Sequence, residues 1–169
     1  MNLFGAPGSG KSTLAAGLFH CMKREGLSVE LVTEFAKELV WENRKDTLAI
    51  QPYVNAKQYR NLFRMKGKVD YVVTDSPLLV GRVYARLYSS LPEEYYTLLD
   101  WYHETLSPSV NLLLEAPTEY KQEGRTQTEE EAREIGVMFS ELLDYDIRLK
   151  DHPDLETLSK EIVNVRHTT

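Results

Sequence analysis

Residues 5–12 read Gly5-Ala6-Pro7-Gly8-Ser9-Gly10-Lys11-Ser12, a complete G-x-x-x-x-G-K-[ST] phosphate-binding loop. Few short motifs constrain a chain as tightly. Gly5, Gly8 and Gly10 let the backbone turn sharply and aim successive N–H groups at phosphate oxygens. Lys11 is spaced to reach the β- and γ-phosphates, and the Ser12 hydroxyl to ligate Mg²⁺. A helix starting at Lys11 would point the positive end of its dipole at the same anion. The motif requires a strand before it and a helix after it. Met1–Phe4 is a short apolar run, and Thr13-Leu14-Ala15-Ala16-Gly17-Leu18-Phe19 reads as an opening helix. We therefore expect a nucleoside triphosphate held by Gly5, Gly8, Ser9, Gly10, Lys11, Ser12 and Thr13.

The rest of the chain narrows the class. Its 169 residues suffice for one α/β domain, and no Pro/Gly/Ser-rich linker divides it, so a single domain over 1–169 is expected. Cys21 is the only cysteine, which excludes an internal disulfide and clustered Cys/His zinc sites. No apolar run reaches the length of a membrane span, and a functional loop at Gly5 leaves no room for a signal peptide. A soluble protein of a reducing cytoplasm is the expectation. The net charge of −6 argues against a surface coated with nonspecific nucleic-acid affinity. One segment runs against that total: Gln51–Val69 contains no acid and carries Lys57, Arg60, Arg64, Lys66 and Lys68.

Strand and helix patterns alternate along the sequence. Met1–Phe4 reads as strand one, followed by a helix from Lys11 to about Glu25 that Gly26 closes. Ser28–Thr33 alternates apolar and polar as strand two. Helices are expected from Glu34 to about Asn43 and over Gln51–Lys66, the latter with Val54, Tyr59, Leu62 and Phe63 toward the core. Val69–Thr74 is strand three. Ser76-Pro77 supplies an N-cap and a proline at the first helical position, opening a helix to about Tyr88; another spans Pro92–Leu106. Ser109–Glu115 is strand four. Thr128-Glu129-Glu130-Glu131 is a capping box for a helix to about Leu143. Asp146–Leu149 is a weak fifth strand, and Leu155–Val165 a terminal helix. This alternation implies a parallel sheet with right-handed crossovers, whose ligands bind beyond the carboxyl ends of the strands.

Candidate site residues cluster at those ends. Asp75 closes strand three, the expected position for an acid that holds Mg²⁺ directly or through water. Glu34 ends strand two, where a carboxylate can take the proton from an acceptor hydroxyl; Asp75 is its rival as base. Lys57, Arg60, Arg64 and Lys68 share one helix face and can track phosphates, with Tyr53 and Tyr59 near enough to stack on a base. Lys121–Gln127 is polar, contains Gly124, and reads as a lid whose Arg125, or else Lys121, closes over the transferred phosphate. Ser76 and Arg82 are further substrate contacts. His20, His103, His152 and His167 form no ligand spacing, and Trp41 and Trp101 read as packing residues.

The loop at Gly5–Ser12, Thr33-Glu34-Phe35-Ala36-Lys37-Glu38, Val72-Val73-Thr74-Asp75-Ser76-Pro77 and Gly124-Arg125-Thr126-Gln127-Thr128-Glu129-Glu130-Glu131 together resemble a phage-encoded group of small P-loop kinases related to thymidylate kinases. This group, often labelled simply as ATPases, includes the 5-hydroxymethyluracil DNA kinases, which phosphorylate a hydroxymethylated base within phage DNA. The resemblance spans roughly residues 1 to 150. It implies a three-layer P-loop fold like that of nucleoside kinases, with a five-stranded parallel sheet, ATP with Mg²⁺, a lid after strand four, and residence in a host cytoplasm. Lys11, Ser12 and Asp75 carry over by motif. Glu34 matches the strand-two carboxylate that serves as base in related deoxynucleoside kinases. Thymidylate kinases carry Asp-Arg after strand three, whereas Asp75-Ser76-Pro77 has no arginine there, which argues against an ordinary nucleoside-monophosphate acceptor. A DNA-kinase reading, a free nucleoside or nucleotide kinase, and a P-loop ATPase acting on a partner are the alternatives.

Overall fold

The short apolar runs between the helices assemble into one parallel sheet. The computed structural model describes residues 1–115, 127–150 and 153–167. The strands are β1 (Asn2–Gly5), β2 (Val29–Val32), β3 (Tyr71–Thr74), β4 (Asn111–Leu114) and β5 (Ile147–Leu149), in spatial order β2-β3-β1-β4-β5. Every pairing is parallel; β1 runs in register with β4 from Asn2 opposite Asn111 to Gly5 opposite Leu114. The helices are α1 (Lys11–Arg24), α2 (Phe35–Trp41), α3 (Lys45–Ala49), α4 (Gln51–Phe63), α5 (Val80–Tyr88), α6 (Glu93–Glu104), α7 (Glu129–Leu142) and α8 (Leu155–His167).

Side chains alternate across the sheet and so fill two separate cores. Leu3 and Leu112 pack with Leu14, Leu18 and Met22 of α1 and Leu158 and Ile162 of α8. Their neighbours Phe4 and Leu113 point the other way, onto Val83 of α5 and Ile135 and Phe139 of α7. That is the three-layer α/β architecture expected from the sequence. From β1 the chain moves outward to β2 and returns to β3; from β3 it crosses β1 to reach β4. The loops after β1 and β3 therefore depart to opposite sides, opening a crevice at their carboxyl ends.

Several element boundaries differ from expectation. The helix after Glu34 stops at Trp41, and the separate short α3 follows it. Ser76-Pro77 does not cap a helix. Val80, Gly81 and Arg82 donate to the carbonyls three residues back, a 3₁₀-like turn that postpones the α-helix to Val80, with Leu79 as N-cap. Val54 and Leu62 are buried as anticipated, but Phe63 lies on the outside of α4. The Thr128 capping box forms as expected: the Thr128 N–H donates to the Glu131 carboxylate at 2.7 Å, and the Glu131 N–H to Thr128 Oγ1 at 3.3 Å. The expected lid, with Lys121 and Arg125, lies outside the described residues.

Candidate active site

The loop after β1 is shaped by what glycine lacks. A Cβ on Gly5 would sit 2.6 Å from Ser9 Oγ and 2.7 Å from the Leu114 carbonyl oxygen. Gly10 holds φ at +88°, a left-handed conformation other residues rarely adopt, and it caps α1 with no side-chain hydrogen bond. The first-turn N–H groups of α1 thus have no side-chain cap and face the loop, where an anion is favoured. Thr13 is exposed in that first turn. Lys11 Nζ curls over the loop and donates to the carbonyls of Gly5 (2.8 Å) and Ala6 (2.9 Å).

Ser12 Oγ donates to Asp75 Oδ2 at 2.6 Å, joining the start of α1 to the end of β3. Asp75 is only 4% exposed. Its second oxygen, Oδ1, is buried without a hydrogen-bond partner, as is Ser9 Oγ. A buried carboxylate oxygen with nothing to accept from, beside a hydroxyl at the phosphate loop, is a donor set suited to a hard cation. Among the described residues no cluster of three or more His, Cys, Asp or Glu could hold a metal. Mg²⁺ does not need one, since it keeps several waters and takes one or two protein oxygens together with substrate phosphates. Ser12 and Asp75 therefore fit it.

Glu34 stands across the crevice. It is the N-cap residue of α2 in extended conformation, yet its side chain makes no capping hydrogen bond. The residue as a whole is half-buried, but its carboxyl is closely enclosed. Desolvation raises its pKa, Lys11 opposes the rise, Asp75 adds to it and Lys37 opposes it. Ser12 and Asp75 form one wall of a cleft of about 250 Å³ whose other wall is Thr33, Glu34, Lys37, Glu38 and Trp41.

Gln58 of α4, 4% exposed, ties the two acid-bearing loops together. Its Oε1 accepts from the Phe35 N–H (3.0 Å), one residue after Glu34, and its Nε2 donates to the Ser76 carbonyl (3.0 Å), one residue after Asp75. Gln51 and Asn55 share its buried face, and Asn55 Nδ2 donates to the Gln51 carbonyl and to Tyr95 Oη. Sequence reasoning passed over these amides in favour of the cations beside them. The available signal was their i, i+4, i+7 spacing on the face that also carries Val54 and Leu62. Trp41, read from sequence as packing, is 66% exposed at the cleft.

Other expected contacts lie apart from the cleft. Lys57 and Arg60 are exposed on α4, but the helix ends at Phe63 rather than Lys66: Arg64 is its exposed C-cap residue and Lys68 follows Gly67 in the turn beyond, so the four cations do not share one helix face as expected. Arg82 is ion-paired with Asp100 of α6 and does not line the cleft. Ser76 contributes backbone: its N–H donates to Thr74 Oγ1 at 3.1 Å.

A family model described as an AAA domain matches residues 1–149. The chain belongs to the AAA domain family. No curated protein matches it significantly. In three dimensions this AAA domain is similar to deoxyadenosine kinase from M. mycoides. The structure of that kinase with the products dCMP and a flexible dCDP aligns at TM-score 0.60 and 20% identity, over 99% of this chain and 98% of the kinase. Its dATP-bound structure aligns at TM-score 0.57 and 20% identity, over 98% of each chain. The likeness shows that the AAA domain has the nucleoside-kinase form of the P-loop fold. Among its described residues no helix is long and apolar enough to cross a membrane.

Proposed function

We propose that this protein transfers the γ-phosphate of ATP to a hydroxyl of a nucleotide-type acceptor. The hydroxymethyl group of 5-hydroxymethyluracil in DNA is the specific acceptor we favour. The observation that carries the reading is the pair of acids, Glu34 and Asp75, facing one another across a cleft that opens on the phosphate loop. Their environments differ as their tasks would require: Asp75 is tied to the loop through Ser12, whereas Glu34 has its pKa raised mainly by desolvation.

In this scheme the loop amides and Lys11 bind the triphosphate, and Ser12 and Asp75 would hold Mg²⁺. When bound, the metal supplies neutralisation of charge on the phosphate oxygens. Glu34 accepts the proton as the acceptor oxygen forms its bond to the γ-phosphorus; the bond to the β-bridging oxygen breaks and ADP leaves. A glutamate with a raised pKa suits that task better than an ordinary one. Arg125 is assigned the charge that spreads over the moving phosphoryl group. Trp41 offers a ring face to the acceptor base, and Lys37 a cation beside it.

The cleft lies near the lower end of small-molecule sites, roughly 300–1,000 Å³, and so admits one base rather than a duplex. A base in duplex DNA would enter flipped. The same size, with the acidic net charge, supports the second reading of a free nucleoside or nucleotide kinase. Labelled ATP offered with hydroxymethyluracil DNA, thymine DNA, nucleosides and monophosphates separates them. Label confined to the hydroxymethylated DNA is expected. Label on a free nucleoside or nucleotide replaces our acceptor, and label found only in released phosphate makes the protein an ATPase.

A further inference from the structure

Tyr59 and Phe63 of α4 meet Trp101 and Tyr102 of α6 in a surface cluster of rings. Tyr59 and Tyr102 stack face to face, centroids 3.9 Å apart and planes within 5°. Phe63 and Trp101 lean on that pair, with centroids 5.3 Å and 6.2 Å from Tyr59. They remain 47% and 53% exposed. Two large rings held in water against a rigid stack mark a recognition surface more than a core.

The rim of this cluster is cationic on its α4 side, while α6 brings exposed Glu94 and Glu104 to the other side. Arg60, Arg64 and Lys68 are exposed, and among the described residues none of them is paired with an acid. Asp100, on the neighbouring α6, is paired with Arg82. In a chain of net charge −6, an acid-free segment from Gln51 to Val69 is a local reversal of sign. Cations beside open ring faces are the chemistry that holds a single nucleic-acid strand, with phosphates on the cations and bases on the rings.

We infer that the α4–α6 face is a platform for a single strand of nucleic acid, with Arg60, Arg64 and Lys68 on its phosphates and Phe63 and Trp101 under its bases. This rests on the reading of a nucleotide-type acceptor and makes that acceptor part of a polymer. Gln58 touches the cleft loops from the same helix, and Phe63 lies about 7–8 Å further along its axis. That end of α4 lies toward the amino ends of the strands, where Leu62 and Met65 line a pocket with Met1, Asn2 and Asp70, so a strand on the platform must continue along α4 to bring a base to the cleft.

The test is fluorescence anisotropy of a short labelled oligothymidylate with the full chain, alongside ATP affinity. Phe63→Ala with Trp101→Ala should weaken oligonucleotide binding by about 10-fold or more and leave ATP affinity unchanged. Arg64→Glu should flatten the dependence of log affinity on log salt, by about 0.7 for the lost cation. Absence of oligonucleotide binding, or equal binding by the ring variant, overturns the platform. So does concentration-dependent dimerisation that the ring variant abolishes, which would give the face to a second copy. Phosphate transfer to free nucleosides without strand binding overturns the platform and leaves a nucleotide-acceptor kinase. Strand binding without transfer to any acceptor supports the platform and removes the kinase reading.

Discussion

A carboxylate that is enclosed and still needed in its charged form leaves a signature in both rate and stability. For Glu34 the raised pKa means that the folded chain holds the proton more tightly than the unfolded one, whose value is near 4.5. Below that pH both states are protonated and nothing is lost; as pH rises through the folded pKa, stability falls. Glu34→Gln should therefore unfold at a higher temperature than wild type at about pH 8 and match it at about pH 4. The same variant should lose roughly 10²–10⁴-fold in kcat, and the acid limb of its pH–rate profile should vanish. Equal melting curves at both pH values would show that the carboxyl is not desolvated. Lys11, Ser12 and Asp75 were legible in the sequence because the phosphate loop and an acid-terminated strand are local patterns. Gln58 was not legible, because an amide acquires its role only from the groups the fold sets against it.

At the level of elements, α4 and α5 approach so closely that only glycine fits between them. A Cβ on Gly81 would lie 2.1 Å from Asn55 Oδ1 and 2.6 Å from Asn55 Cγ. Asn55 has little freedom to retreat, since its amide donates to the Gln51 carbonyl and to Tyr95 Oη. Gly81→Ala should cost about 1–3 kcal/mol, read as a lower urea midpoint with an unchanged slope. Gln58→Leu keeps the volume but strands the Phe35 N–H and the Ser76 carbonyl, each a group that costs about 1–3 kcal/mol when buried unpaired. It should lower kcat more than ATP affinity, and a kcat at the wild-type level would remove Gln58 as a positioning residue. Helices and strands were placed correctly where periodicity or a capping box marked them, as at Thr128. The late start of α5 was missed because Ser76-Pro77 is an equally good opening for a turn. Phe63 was misplaced because neighbouring positions on a helix can differ completely in exposure.

For the molecule as a whole, the sheet order determines which loops share a crevice. The alternation of elements foretold a parallel sheet, but nothing local encodes that β3 inserts beside β1. That insertion is what brings Asp75 to Ser12. Because ATP would bind the folded chain alone, saturation at a hundred times Kd should add about 2.7 kcal/mol and raise Tm by roughly 5–10 °C. The rise should require Mg²⁺. An identical shift in the presence of a chelator would exclude Ser12 and Asp75 as metal ligands. Gln58 has a consequence of another kind. One amide on α4 bonds the loops that carry both acids, so on the proposed reading any repacking of α4 for a new acceptor also retunes the Glu34 side and the phosphate-loop side. In a lineage built on this chain, acceptor preference and turnover would drift together, and a change of substrate would need compensating changes at the ends of β2 and β3 before speed was recovered.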